Sequence, residues 1–171
     1  MAQNQLIWHI ENERILIMER LFDAPREKVF KMFTDTEYLK EFWGPQGFEL
    51  PHSKMDFREG GEWHYGMQSA DPSQETFGMV YWGKANYTEI VEPERIAYMD
   101  YFSDQTGKVD PDMPASKVTM DFMDLGNQTK LISKTELEDA DALKSLLDTG
   151  MIGGITETWE RLDKLLEKQS T

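Results

Sequence analysis

The chain has 171 residues, with 32 Asp and Glu against 18 Lys and Arg, a formal net charge of −14 and no cysteine. That length suits one domain with a substantial core. The absent cysteine excludes disulfides, thiolate metal sites and a Cys nucleophile, and the acidic excess disfavours nucleic acid and anionic membrane surfaces.

Residues 1–13 read as a polar N-terminal extension. Residues 14–22 (RILIMERLF) form a nearly continuous apolar run and read as a first strand. Pro25 suits the first turn of a helix, and Val29, Phe30 and Phe33 follow at helical spacing. Thr34 with Glu37 fits a capping box for a second short helix. Tyr38, Leu39, Phe42 and Trp43 form its apolar face, and Gly44-Pro45 ends it. Residues 62–68 then alternate, with Trp63, Tyr65 and Met67 on one face and Glu62, His64 and Gln68 on the other, as in a half-buried strand. Gly60-Gly61 before it is a turn signal. Residues 77–82, 86–91 and 96–102 are further strand candidates, with a turn at Glu92-Pro93-Glu94. A long polar loop spans 103–116. Val118, Met120 and Phe122 share one strand face, and Gly126-Asn127 turns the chain into a strand over 129–136. Leu143, Leu147, Met151, Ile155, Trp159, Leu162 and Leu166 form one apolar helical stripe over the last 30 residues. Gly150, Gly153 and Gly154 interrupt it. Either the helix begins near Gly150, or small residues leave room for a neighbour on that face.

One helix covers so many strands only if the sheet curls around it. The expected fold is α+β: a curved antiparallel sheet of about six or seven strands wrapped around a long C-terminal helix. Two short helices follow the first strand and close one end, and a cavity lies between sheet and helix. The first 20 residues carry Glu11, Glu13, Arg14, Glu19 and Arg20, which interrupt any apolar leader. No apolar run reaches the ~18 residues of a membrane span. A cytoplasmic location is the expectation.

Several segments carry a family resemblance. The run Arg20-Leu21-Phe22-Asp23-Ala24-Pro25-Arg26-Glu27-Lys28-Val29-Phe30 resembles the opening of the bacterial homologues of the activator of the 90-kDa heat-shock protein ATPase. These belong to the START-like, birch-pollen-allergen-like (SRPBCC) superfamily. Trp43-Gly44-Pro45, Phe57-Arg58-Glu59-Gly60-Gly61-Glu62-Trp63, and Tyr87-Thr88-Glu89-Ile90 with Pro93-Glu94-Arg95-Ile96 are similar to the segments expected next. So are Val118-Thr119-Met120 with Thr129-Lys130-Leu131, and Gly153-Gly154-Ile155 with Trp159 and Leu162. Two departures are Ile155, where an aromatic is usual, and an insertion-like stretch over 81–86. The resemblance covers residues 14 to 167, a single domain with a short tail at 168–171, and implies a helix-grip fold. It implies no single activity, because the same cavity serves different functions across the superfamily.

Candidate cavity walls are Trp43, Phe48, Trp63, Tyr65, Met67, Phe77, Tyr98, Phe102, Met120, Phe122, Met151, Ile155 and Trp159. They would either line a site for an apolar or aromatic ligand or fill a core. The 11 methionines suit a pocket of adaptable shape as well as a core. No catalytic residue, metal site or cofactor is assigned. His64 and Glu62 fall on the face opposite Trp63 and Tyr65. Metal-ligand spacing is absent, and Gly60-Gly61 lacks the Lys-Ser/Thr of a phosphate loop.

Binding of a small apolar ligand between the sheet and the Met151–Trp159 face is the leading reading, with its mouth near the 103–116 loop and Trp43. A cyclase- or hydrolase-type enzyme using the same cavity is the first alternative and needs an acid or base on the inner face. A chaperone-binding or other protein-interaction module is the second, and it ranks lowest because the chain carries the shared domain alone. A weak homodimer through an exposed edge strand stays open.

Overall fold

The computed structural model describes residues 4–169. Eight strands form one antiparallel sheet in the spatial order β1-β2-β8-β7-β6-β5-β4-β3. Their ranges are β1 Ile7–Glu11, β2 Ile15–Phe22, β3 Phe48–Met55, β4 Glu62–Ser69, β5 Val80–Val91, β6 Arg95–Phe102, β7 Ser116–Asp124 and β8 Thr129–Glu136. Helices α1 (Arg26–Lys31) and α2 (Thr36–Phe42) follow β2. Helices α3 (Ala140–Leu147) and α4 (Met151–Gln169) complete the chain.

The architecture is the expected α+β arrangement, with eight strands in place of six or seven. One added strand is β1, which lies within the expected polar extension. All five of its residues are exposed, so no inward–outward alternation marks it. It exists because it pairs with β2, Trp8 opposite Met18, through a tight turn at Asn12-Glu13 with both residues at positive φ. The other is β3, an edge strand with a register shift between Glu49 and His52. Pro51 masks it in sequence; an edge is where a strand tolerates proline. The two strands expected over 77–82 and 86–91 are one continuous strand, β5. The cap of α2 is Asp35, whose side chain accepts from the Glu37 N–H; Thr34 instead donates to the Lys31 carbonyl.

The C-terminal stripe is two helices. Gly150, at φ +82°, separates them in a left-handed conformation that a Cβ disfavours. Gly154 faces Pro45, with room for ordinary contact. Trp159, Leu162, Leu165 and Leu166 are the buried apolar residues of α4, and α2 packs against both α4 and β3. Among the described residues, no helix is long and apolar enough to cross a membrane.

Candidate functional site

Strand alternation builds the helix-facing side of β4, β5 and β6. Trp63 lies opposite Ala85 and Tyr65 opposite Gly83. Ala85 lies opposite Asp100 and Gly83 opposite Phe102, while Asp100 lies opposite Ser116 of β7. The middle of this face therefore carries small residues, a carboxylate and a hydroxyl, with rings on either side. A Cβ at Gly83 would sit 2.5 Å from the Tyr65 ring and hydroxyl, so glycine is what lets the phenol lie across β5.

The aromatic rings are fixed by their neighbours. Trp63 stacks on Tyr65 with centroids 4.2 Å apart, and its indole N–H donates to Ser53 Oγ at 2.9 Å. Trp43 meets both rings edge-on, at 4.9 and 5.7 Å. Trp43 ends α2, and the turn after it is clamped to α4. Arg161 donates to the carbonyls of Gly44 (2.8 Å) and Pro45 (3.1 Å), and the Gln46 N–H donates to Glu157.

Two spaces result. An open cleft of about 310 Å³ is lined by Tyr65, Met67, Gly83, Asp100, Phe102 and Ser116 from the strands. Asp110 and Met113 of the β6–β7 loop and Leu146 of α3 also line it. A narrow cavity of about 20 Å³ lies among Leu39, Trp43, Trp63, Tyr87, Tyr98 and Met120, room for one water molecule. Nε1 of Trp43 is buried without a partner.

The expected wall residues divide accordingly. Tyr65, Met67 and Phe102 line the cleft, and Trp43, Trp63, Tyr98 and Met120 surround the narrow cavity. The others line neither space. Phe48 packs beside Gly44 and Tyr81, and Phe77 is 55% exposed. Phe122 meets Phe30 and Phe33 edge-on at 5.1 and 5.7 Å, and Trp159 meets Phe22 at 6.1 Å. Met151 and Ile155 pack half-buried against the core. The open space thus lies under α3 rather than against the Met151–Trp159 face, where large rings occupy the interior.

Asp100, Ser116, Gly83 and Leu146 were not among the expected wall residues. Asp100 had a signal: it sits midway between Tyr98 and Phe102, both expected walls, on the same face of β6 by the two-residue period. Burial pushes its carboxyl up to about 7, partly offset by a hydrogen bond from the Tyr101 backbone. Both protonation states are therefore populated near neutrality. The Tyr65 and Tyr98 phenols are raised well above their ordinary value, first by burial and then by the Asp100 charge. They remain protonated, able to donate and accept hydrogen bonds.

His64, expected on the face opposite Trp63 and Tyr65, stacks on Trp82 at 5.1 Å, and His52 stacks on the same ring at 4.8 Å. The His64 Nε2 is 2.9 Å from the Asp104 carbonyl, to which it donates as the Nε2–H tautomer. Glu62 pairs with Lys84 at 3.0 Å. Among the described residues, no three His, Asp or Glu side chains are grouped to hold a metal.

A family model described as Activator of Hsp90 ATPase homolog 1-like protein matches residues 23–167. The chain is similar to a crystal structure of a protein from Mycobacterium smegmatis, at 25% identity over 94% of this chain and 95% of that one, with a TM-score of 0.83. It is similar to a solution structure of a protein from Staphylococcus epidermidis, at 28% identity over 94% and 93%, with a TM-score of 0.76. A solution structure from Arthrobacter aurescens shares the fold at 22% identity over 95% and 91%, with a TM-score of 0.84. Comparison with curated proteins finds no match.

Proposed function

The chain belongs to the family described as Activator of Hsp90 ATPase homolog 1-like protein, and from that premise we propose that its START-like domain binds a small, largely apolar molecule in the β4–β6 cleft. The observation that carries this reading is the cleft itself: about 310 Å³, at the small end of the range in which proteins hold ligands. Its walls combine aromatic and methionine side chains with polar ones, among them Asp100, Ser103, Asp110 and Ser116, so apolar burial and polar contacts would share the affinity. Asp100, Ser116 and the Tyr65 hydroxyl would orient the ligand.

The test is a titration with 2-phenylethanol followed by backbone amide shifts. The expected result is saturable shifts concentrated at Met67, Gly83, Phe102 and Ser116. Shifts scattered over the outer face would overturn the reading, as would their absence with both this alcohol and phenethylamine.

Asp100 favours a second reading, proton transfer to or from a molecule in the same cleft. A carboxyl poised near neutral pH is suited to general acid–base work. Any turnover found for a cleft ligand should then fall about 100-fold or more in Asp100→Asn; unchanged turnover removes this reading.

A further inference from the structure

We propose that the molecule held in the cleft is an organic cation, an ammonium or amidinium group on an aromatic or apolar body, with its charge seated between Asp100 and the rings of Tyr65 and Phe102. This rests on the cleft being a ligand site and adds the chemical class of the ligand.

The charged side chains lining the cleft are Asp100 and Asp110, both acidic. Among the described residues, no Lys, Arg or His lines it. Lys84 of β5, next to Gly83 in the chain, is committed elsewhere: its ammonium is 3.0 Å from Glu62 and 3.3 Å from the Gly107 carbonyl. Asp100 is in no ion pair among the described residues; the backbone N–H of Tyr101 donates to its carboxylate. A carboxylate that lines an open cleft without a counter-ion offers a ligand cation a charge-assisted partner.

The rings point the same way. A positive charge gains from the negative face of an aromatic ring, most when both are desolvated. Tyr65 and Phe102 flank Gly83 across adjacent strands, so rings and carboxylate share one recess. The net charge of −14 adds a long-range field that concentrates cations and repels anions. A carboxylate-bearing ligand would meet two aspartates and no counter-charge.

The groups facing Asp100 leave its own titration legible. Tyr65 of β4 and Tyr98 of β6, the phenols that feel its charge, are held protonated by burial. Ser116 of β7 and Leu146 of α3 do not titrate, and Asp110 of the β6–β7 loop is the other acid. A cation requires ionised Asp100, so its affinity rises with pH through the carboxyl's range. A neutral ligand prefers the protonated acid, so its affinity falls over the same interval.

The experiment titrates the full chain with three probes of matched shape: phenethylamine (cation), 2-phenylethanol (neutral) and phenylacetate (anion), read by the cleft amides. We expect the amine to bind about tenfold tighter than the alcohol, and phenylacetate to bind weakest. In Asp100→Asn the amine's advantage over the alcohol should vanish. In the unmodified protein, amine affinity should increase between about pH 6 and about pH 8, a readout that does not depend on the variant folding. Equal or tighter binding of the alcohol, or a pH trend of the opposite sign for the amine, overturns the cation while leaving the cleft. If none of the probes moves the cleft amides, the cation and the cleft reading fail together.

Discussion

The two ends of the helix-facing surface are built from the same elements and solve opposite problems. At the end covered by α1, α2 and α4, both layers contribute rings: Phe22 and Phe122 from the sheet; Phe30, Phe33, Phe42 and Trp159 from or beside the helices. They meet edge-on at 5.1–6.1 Å and leave no room. At the β4–β6 end the sheet supplies Gly83, Ala85, Asp100 and Ser116, and the helical side supplies Leu146. Small residues on one layer without large ones on the other leave a cleft. An open cleft in this fold is a local matter of side-chain volume: the same residue type stabilises one end and would obstruct the other.

The largest expected effect lies at the packed end. Phe122→Ala should cost about 3–5 kcal/mol of stability through lost burial and a residual cavity, measured by urea unfolding. The folded fraction should keep its cleft affinity, which separates the two ends. Next is Gly83→Val. Its Cβ would collide with the Tyr65 ring, so Tyr65 must swing away from β5 and into the cleft. Probe affinity should fall about tenfold or more for about 1–3 kcal/mol of overpacking; retained affinity would place the ligand elsewhere.

The smallest effect is a pH trend. The Asp100 carboxyl is pushed up to about 7 by burial, so the folded state holds its proton more tightly than the unfolded chain does. Its contribution is most favourable below the ordinary carboxylate range and is lost as pH rises to about 7. Asp100→Asn should remove that loss. The variant should be more stable than the parent at alkaline pH by about 1–3 kcal/mol and should lose that advantage at acid pH. A variant less stable at alkaline pH would show that the charge is compensated in the fold.

Much of the fold was legible because its signals are local. Alternation over 62–68, the Gly126-Asn127 turn and the Trp43-Gly44-Pro45 stop each depend on adjacent residues. β1 was illegible because every side chain in it is exposed, and a strand without a buried face has no pattern. The apolar stripe ran through Gly150 without a break, because α3 and α4 both turn apolar residues inward. The wall residues were half legible. Tyr65, Met67 and Phe102 follow from strand alternation, whereas Phe122 and Trp159 point inward just as they do and end in solid core. Distinguishing them requires knowing what the opposite layer brings, which no single strand encodes. Asp100 was missed for a chemical reason: a carboxylate on an inward position runs against the expectation that charges face water, and that exception marks the site.

The most direct measurement is a crystal structure of the chain soaked with phenethylamine at about pH 8, where Asp100 is mainly ionised. Density for the probe is expected between Tyr65, Phe102 and Asp100, with the ammonium toward the carboxylate and the packed end unchanged. A cleft closed by Tyr65 or Leu146, or density for the probe only on the outer face beside His52 and His64, would contradict it.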